Sequence, residues 1–312
     1  MKSYLPLIIG LGLFFMTPII LQATIERTVE KTFAVKPGGN LKVETAGGNI
    51  SVEPGAGEAV KVVARERIRA GSEAEADEVL KDLTLTIEQQ GNDVSAISRY
   101  NRGVGSWFGS QPVQVDFIVT VPGHYNAALK TSGGNVTVGN LAGIVDARTS
   151  GGDVKLGDID GTVNAGTSGG NVSLGSCTGD TRLRTSGGNV RAEKIVGQAD
   201  LATSGGDIRV KLVENVLSAH TSGGDVEAGI GGALKGDCSL GTSGGDVKVT
   251  IDKTAAFQLD ASTSGGRVRA DGLTITLDDG GSGRSHLSGK VNGGGPLLKL
   301  RTSGGSIEVS PR

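Results

Sequence analysis

Thr131-Ser132-Gly133-Gly134-Asn135-Val136 returns as Thr149-Ser150-Gly151-Gly152-Asp153-Val154, and its threonine then recurs at Thr167, Thr185, Thr203 and Thr221, each 18 residues after the last. Steps of 21 residues lead on to Thr242 and Thr263, an early variant stands at Thr45-Ala46-Gly47-Gly48-Asn49-Ile50, and a late copy opens at Thr302. A fixed period of this length marks a repeat architecture, in which each unit is one module that cannot bury its apolar side alone.

Around the motif the residues alternate with period two, the pattern of strands with one buried face. Val136 and Val138, Val154 and Leu156, Val172 and Leu174, Val190 and Ala192, Ile208 and Val210 point one way; Thr137, Lys155, Ser173, Arg191 and Arg209 between them point the other. A second strand before the next glycine pair carries Val145 and Ala147, Val163 and Ala165, Leu217 and Ala219, Leu259 and Ala261, and an apolar residue such as Leu141, Ile159, Cys177, Ile195 or Val213 closes each unit. The expected fold is therefore all-β: a parallel β-solenoid of 18–21 residues per coil. Some ten coils stacked at the spacing of paired strands would form a rod about 50 Å long. The pairs Gly133 and Gly134, Gly151 and Gly152, Gly169 and Gly170, Gly187 and Gly188, Gly205 and Gly206, and Gly223 and Gly224 are read as structural turn residues. Glycine fits such a place either for positive φ or for close backbone approach.

Residues 131–312 form the regular array, and 24–130 are read as an N-terminal cap with the first coils. Within the cap, 72–83 is the one convincing helix, with Ser72 as its N-cap and acidic residues in its first turn. Residues 1–23 have the makings of an export signal: Lys2, an apolar run from Leu5 to Leu21, and a small residue, Ala23, at the expected cleavage point. The alternative is an uncleaved N-terminal membrane anchor. Either places the folded part outside the cytoplasm, in the periplasm, at the cell surface or released.

Composition narrows the function. The chain has 53 glycines among 312 residues and 3% aromatics, so its core is thin and aliphatic; its net charge is -2, and no basic stripe of the kind nucleic acid demands is visible. The two cysteines occupy different core rows, Cys177 at mid-unit and Cys238 on the second strand, about three coils apart, which is too far for a bridge. Only His124, His220 and His286 are present, none in a hydrolase or metalloprotease motif. Gly281-Ser282-Gly283-Arg284-Ser285 lacks the spacing and lysine of a phosphate loop.

Two features invite a binding role. The residue after each glycine pair forms a ladder, Asn135, Asp153, Asn171, Asn189, Asp207, Asp225 and Asp246. Asp207, Asp225 and Asp246 on successive coils would repel by about 1 kcal/mol per pair in water. A bridging Ca²⁺ would relieve this; the competing reading is a structural ladder of turn-forming Asx side chains. Calcium is the one cofactor considered. The second feature is the segment 99–109, where Tyr100, Arg102, Trp107 and Phe108 gather the only tryptophan with two other aromatics. Such a cluster suits recognition of a glycan, lipid surface or protein, or serves as a plug over the end of the core.

The signal-like start, the N-terminal strands with a short helix, Val119-Thr120-Val121-Pro122, the serial T-S-G-G-[N/D]-[V/I] units and the closing Gly293-Gly294-Gly295-Pro296-Leu297-Leu298-Lys299-Leu300-Arg301-Thr302-Ser303-Gly304-Gly305-Ser306-Ile307 resemble the bacterial domain-of-unknown-function 4097 family of β-strand-repeat proteins. The resemblance covers nearly all of the chain beyond residue 23. It implies a right-handed β-solenoid and the family's provisional label of adhesin, and it brings no catalytic residues. The resulting expectation is a non-enzymatic, exported envelope protein that binds a glycan or another protein. Carbohydrate-active chemistry on a β-helix and calcium-dependent assembly stand as alternatives.

Overall fold

Each 18-residue unit lays down a strand on either side of the glycine turn because its apolar residues alternate there, and in the first two units the closing residues Leu141–Ala142 and Ile159–Asp160 form a short third strand. Val190–Ile195 follows one motif and Ala199–Ala202 precedes the next. The computed structural model describes residues 24–101 and 112–312, and there the strands fall into a 15-stranded and a 14-stranded sheet. The first sheet takes the strands that follow the motif and the second those that precede it. From Val136 to Ile251 both are parallel and, but for one irregularity between Val210 and Val213, in register: Val172, Val190, Ile208 and Val226 align across four coils of the first sheet, and Ala165, Leu183, Leu201 and Ala219 across four of the second. A third buried row, Ile159, Cys177, Ile195 and Val213, closes the coil between the sheets.

These rows are the core, and nearly every member is fully buried. Covering a Val, Leu or Ile side chain is worth about 1.5–3 kcal/mol. A single coil cannot collect that gain, since its apolar residues are covered by the coils above and below.

At both ends the order of coils departs from the order of the chain. Leu297–Thr302 and Ile307–Pro311, the last strands, do not lie at the edge. They insert between the strands of the preceding motif, Cys238–Gly241 and Val247–Ile251, and the outer pair Phe257–Thr263 and Val268–Ala270. The outer coil is formed instead by residues 257–270, and an antiparallel hairpin, Ile275–Ser282 with His286–Val291, extends the second sheet beyond it. The N-terminal end mirrors this. Asn40–Glu44 and Ile50–Gly55 sit one coil in, beneath Asp93–Tyr100 and Val113–Pro122.

The N-terminal end is closed by antiparallel strands, Thr24–Ala34 and Ala59–Arg69 on the first sheet and Leu83–Gln90 on the second. The helix occupies Glu73–Leu80, and Leu83 already belongs to the next strand. Ser72 Oγ accepts a hydrogen bond from the Glu75 amide at 3.3 Å, and Arg27 pairs with Glu73 and Asp77 at 2.7 Å each, which ties the helix to the first strand.

Candidate functional site

The motif itself is occupied by holding the coils together. Each threonine is buried and spans two coils: Thr185 Oγ1 donates to the Gly170 carbonyl of the coil below at 2.7 Å and accepts the Gly188 amide of its own coil at 3.3 Å. The same pair of bonds recurs at Thr131, Thr149, Thr167, Thr203, Thr242, Thr263 and Thr302. The second glycine is required by contact. A Cβ on Gly188 would overlap the carbonyl of Gly170, and the same overlap repeats at Gly134, Gly152, Gly170, Gly206 and Gly224. None of these glycines has positive φ. Of the two reasons the sequence leaves open for glycine, close backbone approach is the one that applies.

The Asx ladder also runs from coil to coil. Asn135 Oδ1 accepts the Asp153 amide at 2.8 Å, Asp207 Oδ1 the Asp225 amide at 2.9 Å, Asp225 Oδ1 the Asp246 amide at 2.8 Å, and Asp246 Oδ1 the Ser306 amide at 2.7 Å. At Asp207, Asp225 and Asp246 one carboxylate oxygen is therefore committed to the backbone, and Asp207 Oδ2 further pairs with Arg209 at 3.0 Å. Among the described residues no group of three or more His, Cys, Asp or Glu side chains is placed to hold a metal ion.

On the outer face of the second sheet the coils are linked by side-chain pairs, Asn164 with Asp146 and Arg182 and Arg184 with Asp200. Two rows of side chains run across it, perpendicular to the strands. One carries Asp146, Asn164, Arg182, Asp200 and Ser218; the other carries Arg148, Gly166, Arg184, Ala202 and His220 and continues through Gly241 to Arg301. Small residues in the second row leave depressions. An open trough of about 850 Å³ lies over Ala202, walled by Arg182, Arg184, Asp200, Ser218 and His220, and beside it a notch of about 390 Å³ lies over Gly166. Ion pairs set the walls: Arg148 with Asp146 at 2.9 Å, Arg184 with Asp200 at 2.7 Å, and Arg182 with the same Asp200 oxygen at 3.3 Å. Exposed pairs contribute only about 0–1 kcal/mol, so their main effect is to orient the guanidinium groups.

The model of the Toastrack DUF4097 family matches residues 39–310. The chain belongs to that family. The similarity to solved structures is distant. The chain resembles a protein described as a "putative adhesin" from Bacteroides fragilis, with 13% identity over 91% of this chain and 97% of that one and a TM-score of 0.44. It also resembles a "putative lipid binding protein" from Parabacteroides distasonis, with 11% identity over 90% and 96% of the two chains and a TM-score of 0.35. A further "putative adhesin", from Parabacteroides merdae, shows 10% identity over 92% and 96% with a TM-score of 0.31. Likeness at this level says nothing of a shared ligand. Among curated proteins, none matches this chain.

Of the aromatic cluster expected in this Toastrack chain, Tyr100 ends a strand of the N-terminal cap, half-buried against the core; Arg102, Trp107 and Phe108 lie outside the described residues. Cys177 and Cys238 are free and buried. Burial raises the Cys238 thiol above its ordinary range, against a smaller lowering from the Leu217 amide, which makes it a poor nucleophile. His124, His220 and His286 are dispersed, on a loop beside Gly38, on the second-sheet face and on the C-terminal hairpin. No helix among the described residues is long and apolar enough to cross a membrane. Sequence reasoning missed the two rows on the second sheet. Their signal was present, since Arg148, Gly166, Arg184, Ala202 and His220 also recur at 18-residue spacing, but the more regular glycine motif dominates the alignment.

Proposed function

We propose that this Toastrack protein is a non-enzymatic, exported binding module of the cell envelope, of adhesin or scaffold type, whose recognition surface is the outer face of the second sheet. One observation carries the reading. The motif threonines and glycines are used up in close coil-to-coil contacts, whereas Arg148, Arg182, Arg184 and His220 around the notch and the trough are exposed, the arginines held only by exposed ion pairs with Asp146 and Asp200. Open to solvent and rimmed by charged side chains, this surface suits a polymer or another protein better than a small enclosed substrate. The two carboxylates of the trough support binding over hydrolysis: Asp200 is held by two arginines, and Asp180 Oδ1 accepts the Gln198 amide at 3.0 Å.

Cosedimentation with bacterial envelope preparations tests the reading. Asn164→Trp with Ser218→Trp places bulk on the second-sheet face, and Thr137→Trp with Ser173→Trp does so on the first. Loss of cosedimentation with the former pair alone is expected. Equal binding by both, or loss only with the latter, contradicts the assignment. Trp107→Ala with Phe108→Ala reports separately on the aromatic segment 99–109.

A further inference from the structure

Gly166 differs from the motif glycines in a way that points to a ligand. A Cβ there would find only the Arg184 carbonyl, at 3.4 Å, and its φ is not positive. Neither packing nor backbone conformation requires glycine at this place. What glycine does is leave a notch between two arginines. Arg148 and Arg184 flank it in the same row, on the neighbouring strands at either side, and Arg182 and Asn164 stand in the adjacent row. None of the residues lining the notch is acidic. The carboxylates that hold these arginines, Asp146 and Asp200, lie outside it, so the guanidinium groups are oriented without being covered from the notch side. Three arginines around an uncharged floor form a site for one anionic group, and the planar guanidinium is matched to a carboxylate.

The notch is one step of a longer pattern. Along the stack the row reads Arg148, Gly166, Arg184, Ala202, His220, Gly241, Arg301, a basic or imidazole residue alternating with a small one. At the spacing of paired strands the large residues recur every 10 Å or so, roughly two coils. A sugar ring in an extended polysaccharide spans about the length of one strand spacing. A chain of sugars laid along the stack would therefore seat every second ring over Gly166 and Ala202, while the acidic groups of the rings between them meet Arg148, Arg184 and His220.

We propose that the notch over Gly166 is the anion-reading point of a track for an extended, carboxylated polysaccharide running across the coils of the second sheet. The inference rests on the second-sheet face being the recognition surface, and it adds the ligand class. Nucleic acid is the competing polyanion. It is disfavoured because no Phe, Tyr or Trp lines the notch or the trough for base stacking, and the chain as a whole is not basic.

The test measures binding of polygalacturonate, neutral dextran and a single-stranded DNA oligonucleotide to the purified protein at low and physiological salt. Polygalacturonate should bind, and dextran should not. Raising salt should weaken the affinity several-fold through screening. Arg148→Gln with Arg184→Gln should weaken it about tenfold or more, through loss of two charge-assisted contacts. Gly166→Leu, whose Cβ would meet only the Arg184 carbonyl oxygen at 3.4 Å, should fill the notch and do the same with an unchanged melting temperature. Polygalacturonate binding that survives both changes, equal binding of dextran, or equal binding of DNA would overturn the proposal. A protein that cosediments with envelopes but ignores polygalacturonate would refute the ligand class and leave the binding reading standing; one that does neither refutes both.

Discussion

At the scale of single residues, the threonine of the motif does more than its conservative size suggests. Thr185→Val keeps the shape and removes a hydroxyl that serves the Gly170 carbonyl and the Gly188 amide at once. Leaving buried polar groups without a partner costs about 1–3 kcal/mol each, so thermal or denaturant unfolding should show Thr185→Val destabilised by that order and Thr185→Ser nearly unaffected. Equal stability of Thr185→Val would show that the bonds are incidental. A second residue, Glu66, points to the core side of the N-terminal cap and is buried; desolvation holds its carboxyl above the usual range, partly opposed by the positive charge of Arg27. With the folded pKa above the unfolded one, Glu66 imposes no penalty below its unfolded pKa, and stability is lost as pH rises through the folded value. Glu66→Gln should therefore raise the melting temperature at neutral pH, with a gain that shrinks on acidification below the ordinary glutamate range. A gain independent of pH would contradict this origin.

At the scale of elements, the strands of the regular array were legible because their core residues are aliphatic and evenly spaced. Val172, Val190 and Ile208 mark one row without ambiguity. Reading fails where a polar residue takes a core place: Thr181 is 3% exposed in the row of Val163 and Ala199, and its hydroxyl hides the strand from a hydrophobic pattern. The order of coils at the two ends was not legible at all. Periodicity says which residues are equivalent, but every coil presents the same edge to its neighbours, so nothing local tells Ile307 that it pairs with both Val247 and Val268. That arrangement has a consequence. Were the last coil terminal, deleting residues 297–312 would merely shorten the rod. Because it is interior, the deletion leaves the strands Val247–Ile251 and Val268–Ala270 facing an empty slot. The shortened protein should lose amide-exchange protection on both of those strands and become prone to association through their open edges. Protection retained at Val247–Ile251 and lost only at the extreme end would favour a coil order that follows the chain.

At the scale of the whole molecule, the repeat accounts for a stack in which threonine, glycine and Asx side chains join each coil to the next, and it leaves function to the faces. The candidate surface was hard to read because it consists of residues that differ from coil to coil: Arg148, Gly166 and Arg184 become neighbours only once the register of the second sheet is known. The ladder through Asp207, Asp225 and Asp246 carries its own prediction. Since each Oδ1 already accepts a backbone amide from the next coil, the melting temperature should not change on addition of EDTA; a fall of several degrees would assign the ladder to calcium. The central structural claim, that contact between coils and not the shape of the turn dictates the glycines, is tested most directly by two adjacent substitutions in one motif. A Cβ at Gly133 would meet its nearest atom, the Gly47 carbonyl oxygen, at 3.5 Å, an ordinary contact, whereas one at Gly134 would overlap the carbonyl of Gly48. Denaturant unfolding should show Gly133→Ala neutral or stabilised by about 0.4–1 kcal/mol through the entropy of the unfolded chain, and Gly134→Ala destabilised by about 1–3 kcal/mol or more through overpacking; equal losses at the two positions, or a greater loss at Gly133, would contradict it.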